Sequence, residues 1–176
     1  MRSSVRLVPE KVLLYTYIAT TRYSKEGRGS LEIGDVIYPY DPGVEVLVPD
    51  VKGVVVVKTG LEPRSLRTIL KAQVFSAVEY ISYVAMCSSV VKQCEEAIQS
   101  LTNAIREYLK TERICIGRVR VPRTGTLGKR FVNSLLRELR SILVADCEDV
   151  LSLEVFGKLV CFGYVIYSTR LTSSPP

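Results

Sequence analysis

Apolar and basic residues alternate through ICIGRVRV, residues 114–121, the period-two pattern of a half-buried strand. Ile114, Ile116, Val119 and Val121 share one face, with a slip near Gly117, which leaves Arg118 and Arg120 on the other. PRTGTLGKR then supplies Pro122, Gly125 and Gly128 as turn residues. FVNSLLRELRSIL changes to helical spacing, with Phe131, Leu135, Leu139 and Ile142 on one stripe. A strand, a glycine-rich basic loop and a helix start therefore stand in series.

The same periodicities organise the rest of the chain. Residues 1–10 read as a loose arm, and KVLLYTYIATT predicts a first strand near residues 12–20. RYSKEGRGS reads as a polar loop, with Arg22, Lys25 and Arg28 as a small basic cluster. Leu31, Ile33, Val36 and Ile37 allow one short helical turn before Pro39, Pro42 and Gly43. VEVLVP predicts an edge strand, Asp50–Gly53 a turn, and GVVVVKT, apolar without alternation, a strand central in a sheet. LEPRSLRTILKAQVFS predicts a helix with Pro63 in its first turn, and AVEYISYVAM a strand. SSVVKQCEEAIQSLTNAIREYLK predicts a long amphipathic helix, capped by Ser88 or Ser89, with Val91, Cys94, Ala97, Ile98, Leu101, Ile105 and Leu109 on its apolar stripe. LSLEVF and LVCFGYVIYST around Gly157–Lys158 predict a hairpin, and residues 171–176 a tail. The order predicts an α+β fold.

Composition adds limits. At 176 residues, 47% hydrophobic and 24% charged, the chain is long and apolar enough to pack as one large domain or two small ones. No apolar run reaches the roughly 20 residues of a membrane helix, and no signal peptide is recognisable, which predicts a cytoplasmic protein. The chain has no histidine, so Ser/His/Asp and Cys/His catalysis are excluded, as are most zinc sites. The five cysteines, Cys87, Cys94, Cys115, Cys147 and Cys161, form no C-x-x-C pair. They read as buried thiols, with Cys87–Cys94 close enough for a loop-closing disulfide.

Charge sharpens the picture. The chain carries a net charge of +6, yet residues 113–140 alone hold eight Arg and Lys residues against Glu138. A basic excess confined to one stretch is the footprint of a polyanion binder, although solvation of a strand and a helix accounts for it equally well. The backbone N–H groups of the helix start would add to an anion site there. GTLGKR is not a nucleoside-triphosphate loop: the spacing is too short and no Ser or Thr follows the Lys.

GVVVVKTGLEPRSLRTIL, a strand before a long amphipathic helix, ICIGRVRVPRTG, KRFVNSLLREL and CEDVLSLEVFGKLVCFGY come in an order that resembles the THUMP domain, an RNA-binding module of tRNA-modifying proteins. Glu154 and Gly157 fit the family's closing motif, whereas Cys147–Asp149 stand where Pro-Asp is usual. The resemblance covers roughly residues 50–168, and residues 11–50 look like the ferredoxin-like unit that precedes this module. It implies a ferredoxin-like unit over 1–82, followed by an α/β THUMP domain with a mixed sheet over 83–170. It also implies binding of the acceptor stem and 3′ end of tRNA, carried over to Arg118, Arg120, Arg123, Lys129, Arg130 and Arg137. Tyr108 and Phe131 are candidates for base stacking, although both fit core stripes.

With no methyl-donor or pyrophosphatase motif in the chain, the resemblance is to stand-alone THUMP proteins. The expectation is a binding adaptor, not an enzyme and without cofactor or metal, that presents tRNA to a separate acetyltransferase making N4-acetylcytidine. Neutralising about four to six phosphates would give a salt slope of roughly −3 to −5. Two alternatives remain. One is an RNA-modifying enzyme using Glu154 with Lys158 or Cys161, although Glu154 and Lys158 also read as a solvent-facing hairpin pair. The other is an interaction subunit whose basic face binds an acidic partner protein.

Overall fold

The computed structural model describes residues 14–90, 95–109, 115–121, 129–140 and 150–169. The N-terminal arm, the 122–128 loop with Arg123, Cys94, Cys147 and the tail lie outside them. The strands are β1 (Tyr15–Thr21), β2 (Glu45–Leu47), β3 (Val54–Thr59), β4 (Val78–Ser89), β5 (Cys115–Arg120), β6 (Val150–Phe156) and β7 (Leu159–Ser168). The helices are α1 (Glu26–Ile37), α2 (Pro63–Lys71), α3 (Glu95–Leu109) and α4 (Lys129–Leu139). The fold is α+β, and the seven described strands form one mixed sheet in the order β2-β3-β1-β4-β7-β6-β5. Every neighbouring pair is antiparallel except β5 and β6, whose parallel pairing uses α4 as the crossover. Residue 83, where the sequence reading divides the chain, lies within β4.

Two of the expected elements differ. The polar stretch read as a loop forms the first turns of α1, which buries Gly29, Ile33 and Ile37. Gly29 is there for proximity: a Cβ at this position would lie 2.5 Å from Cγ2 of Thr21 on β1. Ser88 and Ser89, read as caps of α3, belong to β4, and residues 91–94 before α3 lie outside the described residues.

All four described helices pack on one face of the sheet. α1 and α2 cover Tyr17, Ala19, Val55, Val57 and Ile81, while α3 and α4 cover Leu151, Leu153, Val155 and Phe162. Cross-strand partners share a face, and the register runs from Tyr83 to Tyr164 to Leu151, which places both clusters on the same side. Ile18, Val54 and Cys161 pack on the other side with Val56, Val84 and Phe156.

That second face is concave. Arg118 on β5 donates from Nη2 to Thr20 Oγ1 on β1 at 2.9 Å. Four strand steps separate β5 from β1, about 19 Å on a flat sheet at the usual spacing. Right-handed strand twist curls the sheet until its β5 edge reaches back towards β1. Thr20, Ser82, Ser152 and Glu154 are all buried inside the curl.

The slip expected near Gly117 is a bulge: the β5–β6 register shifts between Ile116 and Arg118. A Cβ on Gly117 would sit 2.0 Å from Val150 Cγ1, so the strand needs glycine there. The cysteines depart from expectation. Cys87 and Cys161 face each other across β4 and β7, with Cα atoms 4.0 Å apart, and are disulfide-bonded. Cys115 is disulfide-bonded as well. The reading as thiols fails because the register, not sequence proximity, brings the sulfurs together.

Candidate nucleic-acid interface

β5 and α4 display their cations on opposite faces of the sheet. Arg118 and Arg120 point into the concave face, whereas α4 lies on the helical face with Lys129, Arg130, Arg137 and Arg140 exposed. The six expected contact residues therefore do not meet in one patch. Arg123 lies outside the described residues.

Arg118 is already committed. Its Nε donates to Glu154 Oε1 at 2.9 Å, its Nη2 to Thr20, and its guanidinium lies 4.0 Å from the ring centre of Tyr80. Arg120 Nη2 donates to the Lys52 carbonyl at 2.8 Å, and its guanidinium packs 5.7 Å from the Phe156 ring. Burial pulls the Arg120 guanidinium below the usual arginine range, with Glu154 acting in the opposite sense. The expectation that these two arginines face outward towards phosphate is corrected: alternation assigned them correctly to the non-core side, but the curl of the sheet encloses that side.

Glu154 was read as half of a solvent-facing hairpin pair and is instead 2% exposed. Burial pushes its carboxyl above the ordinary glutamate range, against the pull of Arg118. Ser152 Oγ also donates to its Oε1, at 3.3 Å. Lys158 is exposed in the hairpin turn and Cys161 is in a disulfide, so these three residues assemble no catalytic group. Thr20, Lys52 and Tyr80 complete the arginine contacts from distant strands and loops, and no local pattern marks them.

The α4 cations are different. Phe131, Val132, Leu135 and Leu139 are buried, which leaves Arg130, Asn133, Arg137 and Arg140 as an exposed stripe. Among the described residues none of these side chains, nor Lys129, takes an ion pair. The first turn carries no acid. Cations at a helix start oppose the macrodipole and cost roughly 0.3–1 kcal/mol each, a cost that a bound anion reverses. Phe131 is a core residue, while Tyr108, at the end of α3, is 40% exposed.

The fold has solved counterparts. A protein from Listeria monocytogenes described as an N6-adenine-specific DNA methylase superposes with a TM-score of 0.56 at 10% identity, covering 87% of this chain and 40% of that one. A protein from Clostridium difficile described as a possible methylase gives 0.55 at 12%, covering 87% and 41%. TrmN from Thermus thermophilus, a THUMP-containing methyltransferase, gives 0.50 at 13%, covering 89% and 46%. The chain thus spans less than half the length of each. No protein-family model and no curated protein matches the sequence.

At these identities the likeness shows the fold alone, and a THUMP-like fold agrees with it. The neighbours overturn one expectation. The chain was read as an adaptor and not an enzyme because it holds no methyl-donor or pyrophosphatase motif, yet solved proteins that share this fold over part of their length are described as methylases. Among the described residues, no helix is long and apolar enough to cross a membrane.

Proposed function

We propose that this chain is the RNA-holding part of an RNA-modifying enzyme, with the exposed cations of α4 gripping the acceptor stem and 3′ end of a tRNA. The exposed cations Lys129, Arg130 and Arg137 carry the reading: the first turn of α4 holds no acid, and Lys129 and Arg130 stand there against the helix dipole. Such a surface reads shape. An A-form stem offers phosphates and 2′-hydroxyls, and guanidinium groups hold these without sequence preference. The division into a ferredoxin-like unit over 1–82 and a THUMP domain over 83–170 is part of this proposal.

Two observations of different kinds bear on the catalytic unit served by this grip. The sequence resemblance favours an acetyltransferase making N4-acetylcytidine, and the fold neighbours favour methyl transfer. Capture of the tagged protein from its own cells, followed by mass analysis of the bound nucleosides and proteins, separates the two.

The grip itself is tested by titrating labelled tRNA against the protein and against a variant with Lys129→Ala, Arg130→Ala and Arg137→Ala. Affinity for tRNA falls at least ten-fold in the variant if α4 carries the contact. Unchanged affinity removes α4 from the interface, and equal binding of duplex DNA removes the preference for RNA.

A further inference from the structure

β2 is the edge strand at the end of the sheet opposite β5, and among the described residues no strand pairs with its outer side. Exposed apolar side chains gather beside it. Leu31 on α1 is 68% exposed and Tyr38, just after α1, 62%, while Leu47 and Val48 are about half exposed. A groove of about 420 Å³ runs between α1 and the edge, lined by Leu31, Gly34, Tyr38, Val44 and Val46 among others. We propose that this edge binds a second copy of the chain, β2 against β2 and α1 against α1 across a two-fold axis, so that the two sheets join into one. The inference goes beyond the RNA-holding reading and does not rest on it.

The patch is self-complementary about a single axis. A Cβ on Gly34 would lie 3.8 Å from Cγ2 of Val46, so Gly34 sits over the middle residue of β2. A two-fold axis normal to the sheet that pairs Val46 with Val46 of the second copy therefore also sets Gly34 opposite Gly34. Antiparallel pairing satisfies the free backbone groups of both edges, and this axis keeps both helical faces on the same side. With no side chain at the crossing, the two α1 helices can approach closely. Tyr38 and Ser30 stand about one turn to either side of Gly34, so the exposed ring of one copy meets the small side chain of the other. Leu31 of each copy then enters the groove of its mate. An isologous interface needs this property, since knob and notch must lie on one patch.

Charge favours the same arrangement. The last turn of α1 holds Asp35 and no base, at the negative end of the helix dipole. Lys25 precedes the first turn, where Glu26 is already engaged by the Gly53 N–H. The two-fold sets the acidic end of one α1 beside the positive end of the other. Glu45, the acid of β2, is paired with Lys58 at 3.6 Å, so no bare like charges meet at the strand edge. Each chain carries +6, but the cations of α4 lie towards the other end of the sheet, with β5 and β6. Joining at β2 keeps the two basic surfaces apart and leaves both exposed.

Sedimentation velocity over a micromolar concentration series, without RNA, tests the proposal. The wild type shows a monomer–dimer equilibrium. Leu31→Glu, at an exposed position, weakens the dimer about ten-fold or more, the scale of losing an apolar anchor. Gly34→Ala separates the interface from the fold. Its methyl group meets Val46 at an ordinary contact distance, and alanine favours helix, so the variant unfolds at a temperature no lower than the wild type. The same methyl group stands between the paired helices and weakens the dimer. A monomer at every concentration overturns the proposal, whether another protein or the chain's own N-terminal residues are then found on β2. A dimer indifferent to Leu31→Glu overturns this edge as the interface, and one indifferent to Gly34→Ala overturns the axis through Val46. A dimer formed only when RNA is added overturns the second copy as the direct occupant.

Discussion

Arg118 Nε lies 2.9 Å from Glu154 Oε1 inside the concave face of the sheet, with side-chain exposures of 16% and 3%. This ion pair spans β5 and β6, and through Thr20 it ties the β5 edge to β1 on the far side of the curl. Removing one partner of such a pair strands the other charge in a low-dielectric interior. Arg118→Ala or Glu154→Gln is expected to lose about 3–5 kcal/mol of stability in urea unfolding. Replacing both, as Arg118→Met with Glu154→Leu, loses much less, because no charge is then left buried. Equal losses in the single and double variants would show that packing, not charge, holds the curl.

Gly117 permits the bulge that aims Arg118 inward. Gly117→Ala sets a methyl group 2.0 Å from Val150 Cγ1, and the bulge must shift or the Val150 side chain must turn away to admit it. The expected loss is about 1–3 kcal/mol, as for other overpacked sites. Adding Val150→Ala restores most of it. A double variant no more stable than Gly117→Ala would point to backbone conformation instead of the clash.

How much of this could be read from the sequence depends on how local the cause is. The bulge was legible because Gly117 breaks a period-two pattern within eight residues. The α4 stripe was legible for the same reason, since Phe131, Leu135 and Leu139 repeat at helical spacing. Only the end of α1, over Leu31–Ile37, was legible: Gly27, Gly29 and Gly34 lower helix propensity, Lys25 supplies no capping side chain, and the first turns are held by close contact with β1. The fate of Arg118 was hidden more deeply. Alternation says which side of a strand a residue occupies, but whether that side meets water depends on a curl produced by seven strands together. The Cys87–Cys161 bond was hidden likewise, because 74 residues separate cysteines that only the β4–β7 register makes neighbours.

That bond closes a long loop, which removes conformational freedom from the unfolded chain. Cys87→Ser is expected to cost about 2–4 kcal/mol. Reductant should lower the unfolding midpoint of the wild type more than that of the variant. Equal sensitivity of the two proteins to reductant would assign the effect to another cysteine pair.

Asp41 joins the end of α1 to the end of β3. Its carboxylate accepts hydrogen bonds from Thr59 Oγ1, from Gly60 N at 2.8 Å and from Gly43 N at 3.0 Å. The Thr59 hydroxyl, then the Gly60 amide, hold its pKa below the ordinary value of 3.8, and burial opposes them only in part. A carboxyl group whose folded pKa is depressed stabilises the fold above its unfolded pKa and loses that contribution as pH falls through the folded value. Asp41→Asn should therefore be less stable than the wild type at neutral pH. The difference between the two should shrink as the pH drops below about 4. Urea unfolding across pH 2.5 to 7 reads this directly, and a stability gap that stays constant over the whole range would exclude Asp41 as the titrating group.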